Sequence, residues 1–156
     1  MIILLAVDGS DLALDAVRFG LRLVAEGLQA RFVLAHVQPA TQFYELVLAP
    51  DVELIEAASQ AAGAHALASA RALLDAAGVS FETEIGSGDA ALTLIDIADR
   101  YNCDAILMGT HGSGWLASTR LGRVALSVLQ HATIPVSIVR HAEAETEDEL
   151  ADGGPA

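Results

Sequence analysis

A short apolar strand followed by a glycine-containing loop and a helix constrains this chain more than any other feature. Ala105 to Met108 is apolar throughout, and Gly109 and Gly112 come directly after it. Nine residues later, Gly122 precedes a run of small and apolar residues, Val124 to Leu129. Glycine lets the backbone approach an anion closely, and the first turn of a helix presents unpaired N–H groups to it. The stretch therefore predicts a strand–loop–helix unit that can bind a phosphate group.

Apolar strands and amphipathic helices alternate along the rest of the chain, and five strands are predicted. They are Ile2–Val7, Arg31–Val37, Val79–Ile85, Ala105–Met108 and Val136–Val139. The first is continuously apolar, which is typical of a strand covered on both faces. The third alternates, so we expect it to be half exposed at an edge.

The predicted helices follow the first, second, third and fourth strands. The first is capped by Ser10 or Asp11 and has Leu12, Val17, Leu21 and Val24 on its inward face. The second runs from Asp51 to Ala77 and stops at Gly78. The third follows Gly86–Asp89 with Leu92, Ile95 and Ala98 inward, and the fourth follows Gly122.

Strands joined by helices predict an α/β fold with one open parallel sheet and helices on both faces. Right-handed crossovers leave two leading strand orders, 2-1-3-4-5 and 3-2-1-4-5. Either order places a ligand crevice beyond the carboxyl ends of the strands. In the order 3-2-1-4-5, which we adopt, the first and fourth strands are neighbours, so Asp8 and Gly109 face one crevice.

Length and composition fit one domain that lies in a reducing compartment. A chain of 156 residues can bury a sizeable core, and no apolar run approaches the roughly 18 residues of a membrane span. Met1–Val7 is too short for a signal peptide and is followed at once by Asp8. The single cysteine, Cys103, is interpreted as a small residue beside a strand, and it suits a cytoplasmic location.

Charge excludes several classes of function. All 8 basic residues are arginines, so the chain has neither a P-loop lysine nor a Schiff-base lysine. Residues 141–156 hold six of the 21 acidic residues and no arginine, which leaves 15 acids against 8 arginines in residues 1–140. A net charge of −7 will not draw residues 1–140 to nucleic acid or anionic lipid. Residues 1–140 are therefore predicted to form the domain, and residues 141–156 a solvated acidic tail.

The glycine loop resembles the nucleotide-binding motif of the universal stress protein family. That motif is GxxG, nine residues, and then G followed by Ser or Thr; here it is Gly109-Thr-His-Gly112, nine residues, and Gly122-Arg123. The resemblance covers residues 1–140. The other matching segments are Ala6-Val-Asp8-Gly9-Ser10, Ala-His36-Val37, Cys-Asp104-Ala-Ile-Leu-Met108-Gly, Gly88-Asp89-Ala-Ala91 and Ile134-Pro-Val-Ser-Ile-Val139.

The resemblance implies an adenine-nucleotide alpha-hydrolase-like, flavodoxin-like three-layer sandwich. It also implies a homodimer joined along the last strand and, in one branch of the family, an ATP site, with Mg²⁺ held through the phosphates and water. The site it implies has Asp8 at the adenosine, Val37 and Met108 at the adenine, Gly109 at the ribose, Gly112, Gly122, Arg123 and Val124 at the phosphates, and Ala6 beside them.

Two of these residues have alternative interpretations. Asp8 offers a carboxylate that accepts hydrogen bonds from ribose hydroxyl or adenine amino groups, but it could instead cap the first helix. Arg123 stands where the family has a hydroxyl. Arginine is a bidentate phosphate donor, yet its bulk could obstruct the site.

The leading function is an ATP-binding module in stress response or signalling, which acts through nucleotide-dependent conformation on an unidentified protein partner. It is expected not to be an enzyme, and no catalytic or metal-ligating residue is predicted. His65 lacks a ligand-spaced partner, and His36 is interpreted as a packed or surface histidine. The alternatives are a slow ATPase or nucleotide transferase, and a nucleotide-free dimer with a degenerate site.

Overall fold

A computed structural model describes residues 1–40, 51–110 and 121–141. Within these ranges, strands and helices alternate as the sequence predicts. They are β1 (Ile2–Ala6), α1 (Leu14–Ala25), β2 (Arg31–Gln38), α2 (Val52–Ala77), β3 (Phe81–Ser87), α3 (Ala90–Arg100), β4 (Ala105–Gly109), α4 (Arg123–His131) and β5 (Val136–Val139).

The strands form one parallel sheet in the order β3-β2-β1-β4-β5, so the adopted order 3-2-1-4-5 is confirmed. β1 lies at its centre, where Ala6 pairs with Ala35 of β2 on one side and with Met108 of β4 on the other. β3 and β5 are the two edges, as predicted.

Two apolar clusters hold helices to the two faces of the sheet. Helices α1 and α2 cover one face, where Leu5, Val17, Leu34 and Leu67 are almost fully buried. Helices α3 and α4 cover the other face through a second set of buried residues, which includes Leu4, Val33, Ile97, Ile106 and Val128. Each such side chain stabilises the fold by about 1.5–3 kcal/mol, and the result is the predicted three-layer sandwich.

The end of α2 and the start of α3 follow their sequence signals. Helix α2 ends where Gly78 adopts the left-handed conformation, with φ of 66°. Helix α3 starts after Asp89, whose side chain accepts a hydrogen bond of 2.9 Å from the amide of Leu92. Before α1, Ser10 Oγ accepts a bond of 3.3 Å from the amide of Ala13. The N-cap of the helix is Ala13, which has no side-chain cap bond, so the prediction that Ser10 or Asp11 caps α1 is wrong.

Two predictions about side-chain placement and strand bounds are wrong. Leu92 is 58% exposed, whereas Ala91, Leu94, Ile97 and Ala98 form the buried face of α3. Packing of that face against the sheet sets the rotation of this helix, and Leu92 lies about 100° around the axis from Ala91. β3 runs two residues later than predicted because its pairing with β2 begins at Phe81 opposite Phe32.

No helix in the described ranges is both long enough and apolar enough to cross a membrane.

Candidate functional site

The carboxyl ends of β1 and β4 lie side by side. Ala6 pairs directly with Met108, so the chain leaves both strands at the same edge of the sheet, towards Asp8 on one strand and past Gly109 on the other. The two strands are neighbours because of the strand order: from β1 the chain adds β2 and β3 on one side, and it then crosses to add β4 and β5 on the other side. Such a point is where open α/β sheets bind ligands.

Three of the predicted site residues form an apolar floor at this edge. Ala6, Val37 and Met108 lie on three adjacent strands, and all three pack on the sheet face covered by α3 and α4. Ala6 and Met108 are only 7% and 6% exposed, and Val37 is half-buried. Apolar side chains at such an edge suit contact with the face of an aromatic base.

Asp8 lies in a tight turn just beyond this floor. Its Oδ1 accepts a bond of 2.9 Å from the amide of Ser10 and another from the hydroxyl of the same residue. Gly9 has φ of 87°, and a Cβ there would lie 3.2 Å from the Cβ of Ala66 in α2. The hydroxyl oxygen of Ser10 also accepts the amide of Ala13, which bonds the turn to the chain before α1.

A short hydrogen bond joins the two described ends of the glycine loop. The amide of Gly122 donates to the carbonyl of Thr110 over 2.7 Å, which joins the end of β4 to the start of α4. Gly112 and the rest of residues 111–120 lie outside the described residues.

Helix α4 begins with free donors at the same edge. Its N-cap is Gly122, which has no side-chain oxygen to bond the first turn, and the first intrahelical bond runs from Leu126 to Gly122. The amides of Arg123, Val124 and Ala125 therefore have no intrahelical acceptor. Arg123 and Val124 are exposed. Among the described residues Arg123 makes no ion pair, in contrast to Arg18, Arg31 and Arg100.

His36 has a contact that the sequence did not reveal. Its Nδ1 lies 2.9 Å from the carbonyl oxygen of Val7, the residue before Asp8. His36 was predicted to be a packed or surface histidine; it is half-buried, and its ring bonds to the chain that leads into the site. The nearest sequence signal is that His36 lies near the end of a strand whose neighbour ends at Ala6, and using that signal requires the register of the two strands.

Neither metal chemistry nor thiol chemistry has support in the described part of the chain. No group of three or more His, Cys, Asp or Glu side chains there could hold a metal ion. Cys103 is buried, and burial, followed by the charge of Asp104, raises the pKa of its thiol to about 11. The thiol is therefore protonated and unreactive at neutral pH.

Comparison with known proteins decides the family. A model of the universal stress protein family matches residues 1–140. The chain belongs to the universal stress protein family. This confirms the family that the glycine motif and the other five segments indicate.

Relatives match along nearly the whole chain. A universal stress protein of Methanocaldococcus jannaschii is 29% identical over 143 residues, which is 92% of this chain and 84% of that protein. The crystal structure of a family member from Burkholderia pseudomallei is 29% identical, with a TM-score of 0.66 over 88% of this chain and 94% of the other.

Two further solved family members hold adenine nucleotides. One is a universal stress protein in complex with cAMP, 23% identical with a TM-score of 0.61 over 90% of this chain and 96% of that one. The other, from Arabidopsis thaliana, has AMP bound and is 20% identical, with a TM-score of 0.63 over 97% of this chain and 99% of that one. At these identities the likeness to this chain is one of fold.

Proposed function

We propose that this universal stress protein binds an adenine nucleotide, ATP, at the carboxyl edge of β1 and β4. The observation that carries the proposal is the pairing of Ala6 with Met108, because it puts the Asp8 turn beside the base of the glycine loop. An acidic turn, an apolar floor and a helix N-terminus with free amides then share one edge of the sheet.

Each part of the site suits a different part of the nucleotide. The floor of Ala6, Val37 and Met108 takes the adenine, and the carboxylate of Asp8 accepts bonds from ribose hydroxyls or the adenine amino group. The free amides at Arg123 and Val124 and the positive end of the α4 dipole attract the phosphates. Gly109 and Gly112 are assigned to the ribose and phosphates by the family motif, and Mg²⁺ is held through the phosphates and water.

Adenine nucleotides as a class are supported by the relatives that hold cAMP and AMP. The choice of ATP rests on this chain. Arg123 adds a full positive charge at the first position of α4. The second and third phosphates of ATP add negative charge that AMP lacks, so this arginine should favour ATP. A bidentate guanidinium is a stronger phosphate donor than a neutral hydroxyl.

We propose that the protein acts as a binding module and not as an enzyme. Nucleotide binding sets the shape of the loops at this edge and is read by an unidentified protein partner. A slow ATPase is the second candidate, and release of inorganic phosphate from ATP at a rate above the buffer control would favour it.

A homodimer through β5 completes the proposal. All four residues of this edge strand are half-buried, and the adjacent helix α4 exposes Leu126 and Leu129 by 47% and 43%. An unpaired apolar edge strand pairs readily with a second copy.

Thermal melting with ATP and with GTP tests the proposed function. At an ATP concentration 100 times Kd, we expect stabilisation by about 2.7 kcal/mol, and each kcal/mol raises the melting temperature by about 2–4 °C in a domain of this size. GTP should give a smaller shift, because guanine has a carbonyl oxygen at C6, where adenine has its exocyclic amino group. The absence of any shift with millimolar ATP and magnesium would favour the nucleotide-free alternative. Mass analysis of the small molecules that the purified protein releases on denaturation is an independent check.

A further inference from the structure

The residue before Asp8 is held to β2 through both of its backbone groups. The amide of Val7 donates to the carbonyl of Ala35 over 2.9 Å, which continues the pairing of the two strands by one residue. The carbonyl of Val7 is bonded differently, since its partner is the imidazole of His36, with Nδ1 2.9 Å away. A side chain thus supplies the hydrogen bond that a further residue of strand pairing would supply.

We propose that His36 is the positioning residue for Asp8 in the nucleotide site. The proposal rests on the proposed function. The carbonyl of Val7 and the amide of Asp8 belong to one planar peptide unit. Holding the carbonyl oxygen fixes the orientation of that plane, and with it the direction in which the chain enters Asp8.

Other described contacts join the turn to itself and to the helices, and among them Ser10 Oγ accepts the amide of Ala13 before α1. The bonds from Ser10 to Asp8 Oδ1 stay within the turn and move with it. The approach of Ala66 to Gly9 is an apolar contact, which limits distance but has little directional preference. The bonds from Ala35 and His36 connect Val7 to the sheet, and the one from His36 acts closest to Asp8 along the chain.

The chemistry of the bond determines how it can be tested. A carbonyl oxygen only accepts, so Nδ1 must carry the proton and Nε2 is the unprotonated nitrogen of the neutral ring. In asparagine, the side-chain amide nitrogen occupies the place of Nδ1 and also donates. Leucine has nearly the same size and shape as asparagine but has no donor. His36→Asn and His36→Leu therefore separate the hydrogen bond from the space that the side chain fills.

Calorimetric titration of adenosine, AMP and ATP into wild type and both variants is the main test. His36→Leu should weaken the binding of all three ligands by the same factor, about three- to tenfold. The variant loses the neutral hydrogen bond that orients the Asp8 turn, and Asp8 is proposed to contact the adenosine that the three ligands share. His36→Asn should bind within about twofold of wild type. As a matched control, His131→Leu removes a similar contact, from Nδ1 to the carbonyl of Ser127 over 2.8 Å, at the far end of α4, and should leave affinity unchanged.

Equal weakening by both variants would overturn the proposal, since packing and not the donor would then matter. Unchanged binding by His36→Leu would also overturn it. If His36→Leu does not fold, ¹⁵N NMR of the wild-type imidazole decides: a proton on Nδ1 is expected, and a proton on Nε2 alone contradicts the bond.

The same NMR samples separate this proposal from the proposed function. The amide signals of Gly9 and Ser10 should shift in His36→Leu and return near their wild-type positions in His36→Asn, with no nucleotide present. If wild type binds none of the three ligands but these signals behave as expected, the nucleotide site fails while His36 still orients the turn. If wild type binds ATP and the signals stay unmoved in both variants, the role of His36 is wrong.

Discussion

Arg123 is the residue at which this chain departs from the nucleotide motif of its family. It is the first residue of α4, it is exposed, and it makes no ion pair within the described residues. Its backbone amide can serve a phosphate whatever its side chain does, because the amide belongs to the first turn of the helix. Only the role of the guanidinium is open, and we propose that it binds the terminal phosphates.

Replacing Arg123 tests that role directly. Arg123→Ala should weaken ATP by more than about 1.5 kcal/mol, as for a hydrogen bond to a charged group, and should weaken AMP less. Calorimetry with both nucleotides measures the difference. Arg22→Ala, which removes an exposed arginine in the last turn of α1, is the control and should change neither affinity. Tighter ATP binding by Arg123→Ser than by wild type would mean that the arginine obstructs the site.

Among the helices, α3 depends most visibly on one capping side chain. Asp89 accepts the amide of Leu92, satisfies one of the free donors of the first turn, and places a negative charge at the positive end of the helix. Asp89→Ala should lower the free energy of unfolding by about 1 kcal/mol, measured by urea denaturation. Asp99→Ala changes an exposed aspartate near the other end of α3 and should cost less than about 0.5 kcal/mol. Equal effects of the two changes would contradict the capping role.

The contact between β3 and α3 leaves no room for a side chain at Gly86. A Cβ at this position would lie 2.5 Å from Cγ2 of Thr93 and 3.3 Å from Cδ1 of Ile97. Gly86→Ala should therefore destabilise the fold by about 1–3 kcal/mol through overpacking. Thr93→Ser removes the methyl group concerned, so the double variant should recover part of that loss.

A double-mutant cycle on thermal or urea unfolding measures the recovery, with Thr93→Ser alone as its control. A double variant that is as unstable as the sum of the two single changes would show that the cost at Gly86 has another origin.

For the whole molecule, the main expectation is assembly through the β5 edge. Ile138→Lys places a charge on the half-buried edge strand and should shift sedimentation towards monomer, with circular dichroism as the check that the variant folds. Leu92→Lys makes the same kind of change at an exposed leucine of α3 and should leave the assembly unchanged. Wild-type protein that sediments as a monomer at micromolar concentration would refute the dimer.

Local sequence signals explain why so much of the fold could be predicted. Apolar runs such as Ile2–Val7 mark strands covered on both faces, and glycine and aspartate at Gly78 and Asp89 mark where helices end and begin. These signals are local, so they survive without a structure. The bounds of β3 and the outward position of Leu92 were missed because pairing with β2 and the rotation of α3 are set by neighbouring elements.

By itself, the sequence determined the family, the alternating fold and which residue types are available for a nucleotide site, and it left two leading strand orders. Only the tertiary structure decided that Ala6, Val37 and Met108 share one floor, that Asp8 is tied to Ser10, and that His36 reaches the chain before it. The reason is physical. A motif fixes spacing along the chain, whereas contact between residues about 30 positions apart, such as Val7 and His36, depends on the register of paired strands.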